Sequence, residues 1–122
     1  MAGPIVGPVQ HVPMDRFEQL VISALDELPD SLAARIDNVA VVIDEHHPTE
    51  DLLGLYEGVP LTERDDYGMM ELPDTITLYR DPISQISADE AEVVEQVRIT
   101  VVHEVAHHFG IDDDALDELG WA

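Results

Sequence analysis

The chain has 122 residues and a mass of 13.5 kDa, so its length bounds it to one domain. Its 45% hydrophobic content is ordinary for a folded protein and excludes wholesale disorder. Five basic residues stand against 27 acidic ones, a net charge of −22 that repels phosphate backbones and argues against nucleic-acid binding.

All five basic residues are arginines: Arg16, Arg35, Arg64, Arg80 and Arg98. So acidic a surface favours cationic partners and concentrates cations near its clefts, although acidity also serves solubility and salt tolerance without further purpose. With no cysteine, disulfides and thiolate metal sites are excluded, and only His, Asp and Glu remain as metal ligands. No apolar run reaches the eighteen or so residues a membrane span requires, so no membrane partner is expected. Residues 1–13 hold three prolines and lack the features of a signal peptide. The expectation is a cytoplasmic protein with an irregular arm over 1–13 and a single domain over 14–122.

In chain order, Asp15 is placed to cap a first helix carrying Phe17, Leu20, Val21, Ala24, Leu25 and Leu28 on one face, closed by Pro29. The run Val39–Ile43 suits a buried strand. A polar loop with His46-His47-Pro48 follows, then a short strand over Leu52–Tyr56 and a long connection through Gly58, Pro60 and Gly68. Thr75–Arg80 alternates as a third strand between Pro73 and Pro82; it reads either as an ordinary strand or as one able to pair with an extended peptide. Ser87, with Glu90 three residues on, has the spacing of a capping box for a long helix ending at Gly110. A short helix, Asp112 to about Leu119, closes an α+β domain with a small sheet.

Residues 103–113 read His-Glu-Val-Ala-His-His-Phe-Gly-Ile-Asp-Asp. On a helix, His103 and His107 lie one turn apart on one face, where two imidazoles can meet one ion. Glu104 flanks that face and is placed to act on a water as general base. Gly110, free to adopt left-handed dihedrals, can stop the helix and turn the chain back, which makes Asp113 the candidate third ligand. Two histidines and one carboxylate leave a zinc position open for water. The bare HExxH spacing arises in roughly 0.03 of shuffled chains of this composition, and adding Gly110 and Asp113 lowers this to roughly 0.0002. The competing reading of His103 and His107 is a pair of unligated histidines.

Neighbouring residues carry weaker signals. His108 points about 100° away from His107 and is read as packing or as a support behind the ligands, with ligation the lesser reading. His46 and His47 are loop histidines for which ligation is the lesser reading. Asp112 and Asp114 suit the cap and first turn of the last helix, a role Asp113 could share. Met69, Met70 and Trp121 are read as packing or exposed residues without special chemistry.

The segments HEVAHHFGIDDD at 103–114, LLGLYEGVPLTERD at 52–65 and TITLYRDPI at 75–83 resemble the zincin metallopeptidases, specifically the small bacterial group called minimal zincins. The likeness runs from about residue 14 onward. It implies a helix packed on a small, mixed, twisted sheet of three or four strands with the active-site helix below it. It also implies zinc-dependent peptide hydrolysis, with His103, His107 and Asp113 as Zn2+ ligands and Glu104 as base. Larger metzincins have a third histidine where this chain has Asp113, and a methionine turn that is missing here. With nine residues after Asp113, the expected cleft lacks one wall. Tyr67, Tyr79 and Arg64 are the candidates to assist the oxyanion. The expected partner is a peptide or protein substrate, with a homo-oligomer or protein partner completing the cleft. Two other functions fit the same residues: an interaction module whose zincin fold is catalytically weak or inactive, and a hydrolase of non-peptide amides.

Overall fold

The computed structural model describes residues 12–58 and 73–121. Chain order gives α1 (Met14–Asp26), α2 (Asp30–Arg35), β1 (Ala40–Asp44), β2 (Gly54–Glu57), β3 (Thr75–Tyr79), α3 (Arg80–Gln85), α4 (Glu90–Phe109) and α5 (Asp113–Leu119). This is the α+β class expected, with three described strands in a mixed sheet.

α1 buries Phe17, Leu20, Val21 and Ala24, the helical-period stripe, against α4. Its N-cap is Pro13 rather than Asp15, which lies inside the first turn where the helix dipole favours an acid. Pro29 closes nothing by itself: α1 ends at Asp26, and Pro29 stands as the N-cap of α2, a helix not expected. Pro82 behaves similarly. It sits in the first turn of α3, where a missing N–H costs no intrahelical bond.

The sheet order is β1-β3-β2. β3 pairs in parallel with β1, Ala40 opposite Thr75, and antiparallel with β2, Gly54 opposite Leu78. Its Ile76 and Leu78 are fully buried. Because both edges of β3 are taken, it cannot accept a peptide as an added strand, which corrects that reading. β1 is half-exposed instead of buried, since it is an edge among the described strands and Val42 is exposed.

α4 lies against β2 and β3 and supplies Val93, Val97, Val101, Val102, Val105 and Ala106 to the core. Its cap is Asp89, whose Oδ1 accepts the Glu92 N–H at 2.8 Å. Ser87 is no cap: it is buried, and its Oγ donates to the Ile83 carbonyl at 2.7 Å. No helix among the described residues is long and apolar enough to cross a membrane.

Candidate metal centre

The motif occupies the last turns of α4, and the turn that follows positions everything beyond it. Gly110 adopts φ 68°, ψ 31°. The Ile111 N–H donates to the Ala106 carbonyl at 2.8 Å and the Gly110 N–H to the His107 carbonyl at 3.4 Å, the paired bonds of a Schellman turn. The chain is thereby folded back beside α4. Asp112 then caps α5, its Oδ1 accepting the Ala115 N–H at 2.8 Å, and Asp113 enters the first turn.

The result is that His103, His107 and Asp113 line one small pocket of about 100 Å³, with Ala106, Ile111 and Leu116 as its apolar walls. All three polar side chains are exposed, and none is engaged in a hydrogen bond or ion pair among the described residues. Their donor chemistry, two imidazoles and a carboxylate, suits zinc. Among the described residues no three His, Asp or Glu side chains are gathered tightly enough around one point to enclose an ion. The three therefore share a pocket without forming a closed shell.

Glu104 faces the sheet. It is half-buried, and its Oε1 accepts the backbone N–H of Tyr56 on β2 at 3.0 Å. Among the described residues it is in no ion pair, and Oε2 accepts no hydrogen bond. A second pocket, about 230 Å³, opens beside it between residues 51–54 and Ile99, Thr100 and His103. β2 approaches α4 closely here: a Cβ at Gly54 would stand 2.6 Å from Thr100 Cγ2.

A third pocket, about 170 Å³, is also lined by His103, together with Arg98, Asp113, Asp117 and Trp121 among others. Arg98 is the lone cation among the residues lining these three pockets, and it is paired with Glu95 at 2.6 Å. Their hydrogen bond, with desolvation partly opposing it, holds the Glu95 carboxyl below its usual 4.5 and raises Arg98. Asp51, Asp113 and Asp117 leave the surroundings anionic.

His108 packs, as its angle from His107 suggests: its ring stacks on Tyr56 at 4.0 Å. His47 Nδ1 accepts the N–H groups of Thr49 and Glu50, and His46 meets Asp81 at 3.4 Å, so both serve the loop. Tyr79 is buried against His47 and lines none of the three pockets, which removes it as an oxyanion partner. Arg64, Tyr67, Met69 and Met70 lie outside the described residues. Sequence reasoning missed Tyr56 as a neighbour of Glu104, because 48 positions separate them and no local pattern links the two.

Fold and site together define a small α+β protein bearing HExxH on its longest helix. Residues 36–121 match the zincin-like metallopeptidases, and the chain belongs to that family. α1 and α2 precede the matched stretch. No curated protein matches the chain. Among solved structures it is similar to a conserved hypothetical protein from Thermo thermophilus, at 23% identity and a TM-score of 0.48, covering 82% of this chain and 100% of that one.

Proposed function

We propose that the protein is a zinc-dependent peptide-bond hydrolase in which His103, His107 and Asp113 hold the metal and Glu104 is the general base. The observation that carries this reading is the division of labour on α4: two imidazoles face one pocket with Asp113, while the neighbouring carboxylate is held by one oxygen and, among the described residues, keeps the other without a donor. A bound zinc supplies Lewis acidity toward a carbonyl and brings the ionisation of water toward about pH 7.

Glu104 then does the proton work. Oε2 accepts a proton from the attacking water and returns it to the leaving amine, converting an expelled amide anion into a neutral amine. A closed structural zinc site, by contrast, takes four protein ligands and has no use for an unligated carboxylate. The anionic surroundings, with Arg98 occupied by Glu95, favour peptides of positive charge.

Metal analysis of the purified protein with turnover of a mixed peptide library tests the proposal. Glu104→Gln is expected to keep its zinc and lose hydrolysis by about 10²–10⁴-fold. His107→Ala is expected to lose zinc; unchanged stoichiometry would remove it as a ligand. The small, open pocket motivates a second reading, an interaction module built on a zincin fold. Zinc bound at full stoichiometry with no peptide cleaved favours that module, or a hydrolase of other amides.

A further inference from the structure

The neighbour of Glu104 is itself tightly held. The Tyr79 N–H donates to the Leu53 carbonyl at 3.0 Å, which sets the parity of the β2–β3 ladder. Leu55 and Glu57 turn their backbone groups toward β3, while Gly54 and Tyr56 turn theirs to the opposite edge. An edge N–H of this kind ordinarily goes to water. The Tyr56 N–H goes to Glu104 Oε1.

The tyrosine ring fixes that N–H in turn. Its hydroxyl donates to Asp74 Oδ2 at 2.7 Å, just before β3 begins. Its face stacks on His108 with ring centroids 4.0 Å apart and planes 25° from parallel. Gly58 allows this stack, since a Cβ there would lie 3.2 Å from His108 Cε1. Glu104 and His108 stand at i and i+4 on α4 and so share a helix face. Tyr56 meets that face twice, by its main chain at Glu104 and by its ring at His108, while His103 and His107 occupy the adjoining face.

We propose that Tyr56 is the positioning residue of Glu104. Its edge N–H pins Oε1 so that Oε2 is presented in one orientation, and the Asp74 and His108 contacts hold the N–H in place. This rests on Glu104 as the proton acceptor, and it assigns His108 the structural role of seating the tyrosine. A carboxylate free to swing would lose the alignment on which proton transfer depends, for which a displacement of about 1 Å costs on the order of 10²-fold.

The test has a readout that needs neither metal nor substrate. In the intact protein, the Tyr56 amide proton is expected to exchange slowly and resonate downfield, as a carboxylate-bonded N–H does. In Glu104→Ala it is expected to exchange at least about 10-fold faster and move upfield, while the Leu55 and Glu57 amides stay unchanged. Equal exchange of the Tyr56 amide in both proteins overturns the proposal. On the zinc-loaded enzyme, Tyr56→Ala is expected to lower kcat by about 10²-fold with KM changed less than about threefold and zinc content unchanged. Tyr56→Phe keeps the shape if the alanine variant does not fold, and is expected to lose a smaller part of kcat. His108→Phe, which preserves the stack, is expected to retain activity that His108→Ala loses. Wild-type kcat in both Tyr56 variants overturns the proposal. Should the intact protein cleave nothing, the hydrolase reading fails, and the exchange comparison alone decides whether Tyr56 holds Glu104.

Discussion

Nε1 of Trp121 donates to Oγ of Ser31 at 2.7 Å, a bond spanning 90 positions that ties the second residue after α5 to α2. The ring is 2% exposed and also walls the pocket that holds His103 and Asp113. A second left-handed glycine, Gly120 at φ 76°, aims it inward, with the Trp121 N–H on the Leu116 carbonyl at 3.0 Å. The tryptophan thus clamps the helix that carries Asp113 onto the N-terminal half of the molecule.

Replacing it separates packing from hydrogen bonding. Trp121→Phe keeps an aromatic ring and is expected to cost about 0.5–1.5 kcal/mol in urea unfolding, the worth of the lost bond with its partner still able to reach water. Trp121→Ala is expected to cost about 3–5 kcal/mol. If the clamp positions α5, the alanine variant also binds zinc more weakly in a competition titration under folding conditions.

Gly110 offers a cleaner perturbation of the same geometry. Nothing lies within 4 Å of a Cβ built there, so any cost of Gly110→Ala is conformational and not steric contact. About 1 kcal/mol of destabilisation is expected, less for Gly110→Asn, which tolerates left-handed dihedrals better. Because the turn returns Asp113 to the histidines, zinc affinity should fall more in Gly110→Ala than in an equally destabilised core variant such as Val97→Ala. Equal affinities would separate Asp113 from the metal.

The start of α4 supplies a third prediction. Asp89→Ala removes the acceptor of the Glu92 N–H and is expected to cost about 1 kcal/mol, with faster exchange at that amide. Ser87→Ala leaves that amide protected, since its hydroxyl donates to the Ile83 carbonyl on α3 instead. Faster Glu92 exchange in the Ser87 variant would restore the capping role to Ser87.

Acid should weaken two ion pairs for the same reason. Hydrogen bonds from Arg16 to Glu90 and from Arg98 to Glu95 hold both carboxyls below the ordinary 4.5 in the folded state. A depressed folded pKa contributes stability that is complete above the unfolded value and lost as pH falls through the folded one. The contribution therefore fades below about pH 4.5. For the Glu95–Arg98 pair on one helix it amounts to roughly 0.2–0.5 kcal/mol. Glu95→Gln should be less stable than the parent at neutral pH, and the gap should close as acid is added. A gap that stays constant down to about pH 3 would show that the pair contributes nothing through its charge.

Much of the site could be read from sequence because it is local. The pairing of His103 with His107, the stop at Gly110 and the cap at Asp112 all follow from a 3.6-residue period and from bonds spanning three to five positions. Those interactions are complete within a few turns of chain, so their pattern is written in consecutive residues.

Tertiary structure alone decided that β3 is central, that Val39–Ile43 ends at an edge of the described sheet, and that Tyr56 supplies the donor to Glu104. A strand's alternation specifies which side chains share a face but not which strand lies beside it, and its backbone groups stay unassigned until distant segments pair. The motif placed two imidazoles and a carboxylate on one helix. Which oxygen of that carboxylate is held depends on an N–H left over when β2 completed its bonds to β3.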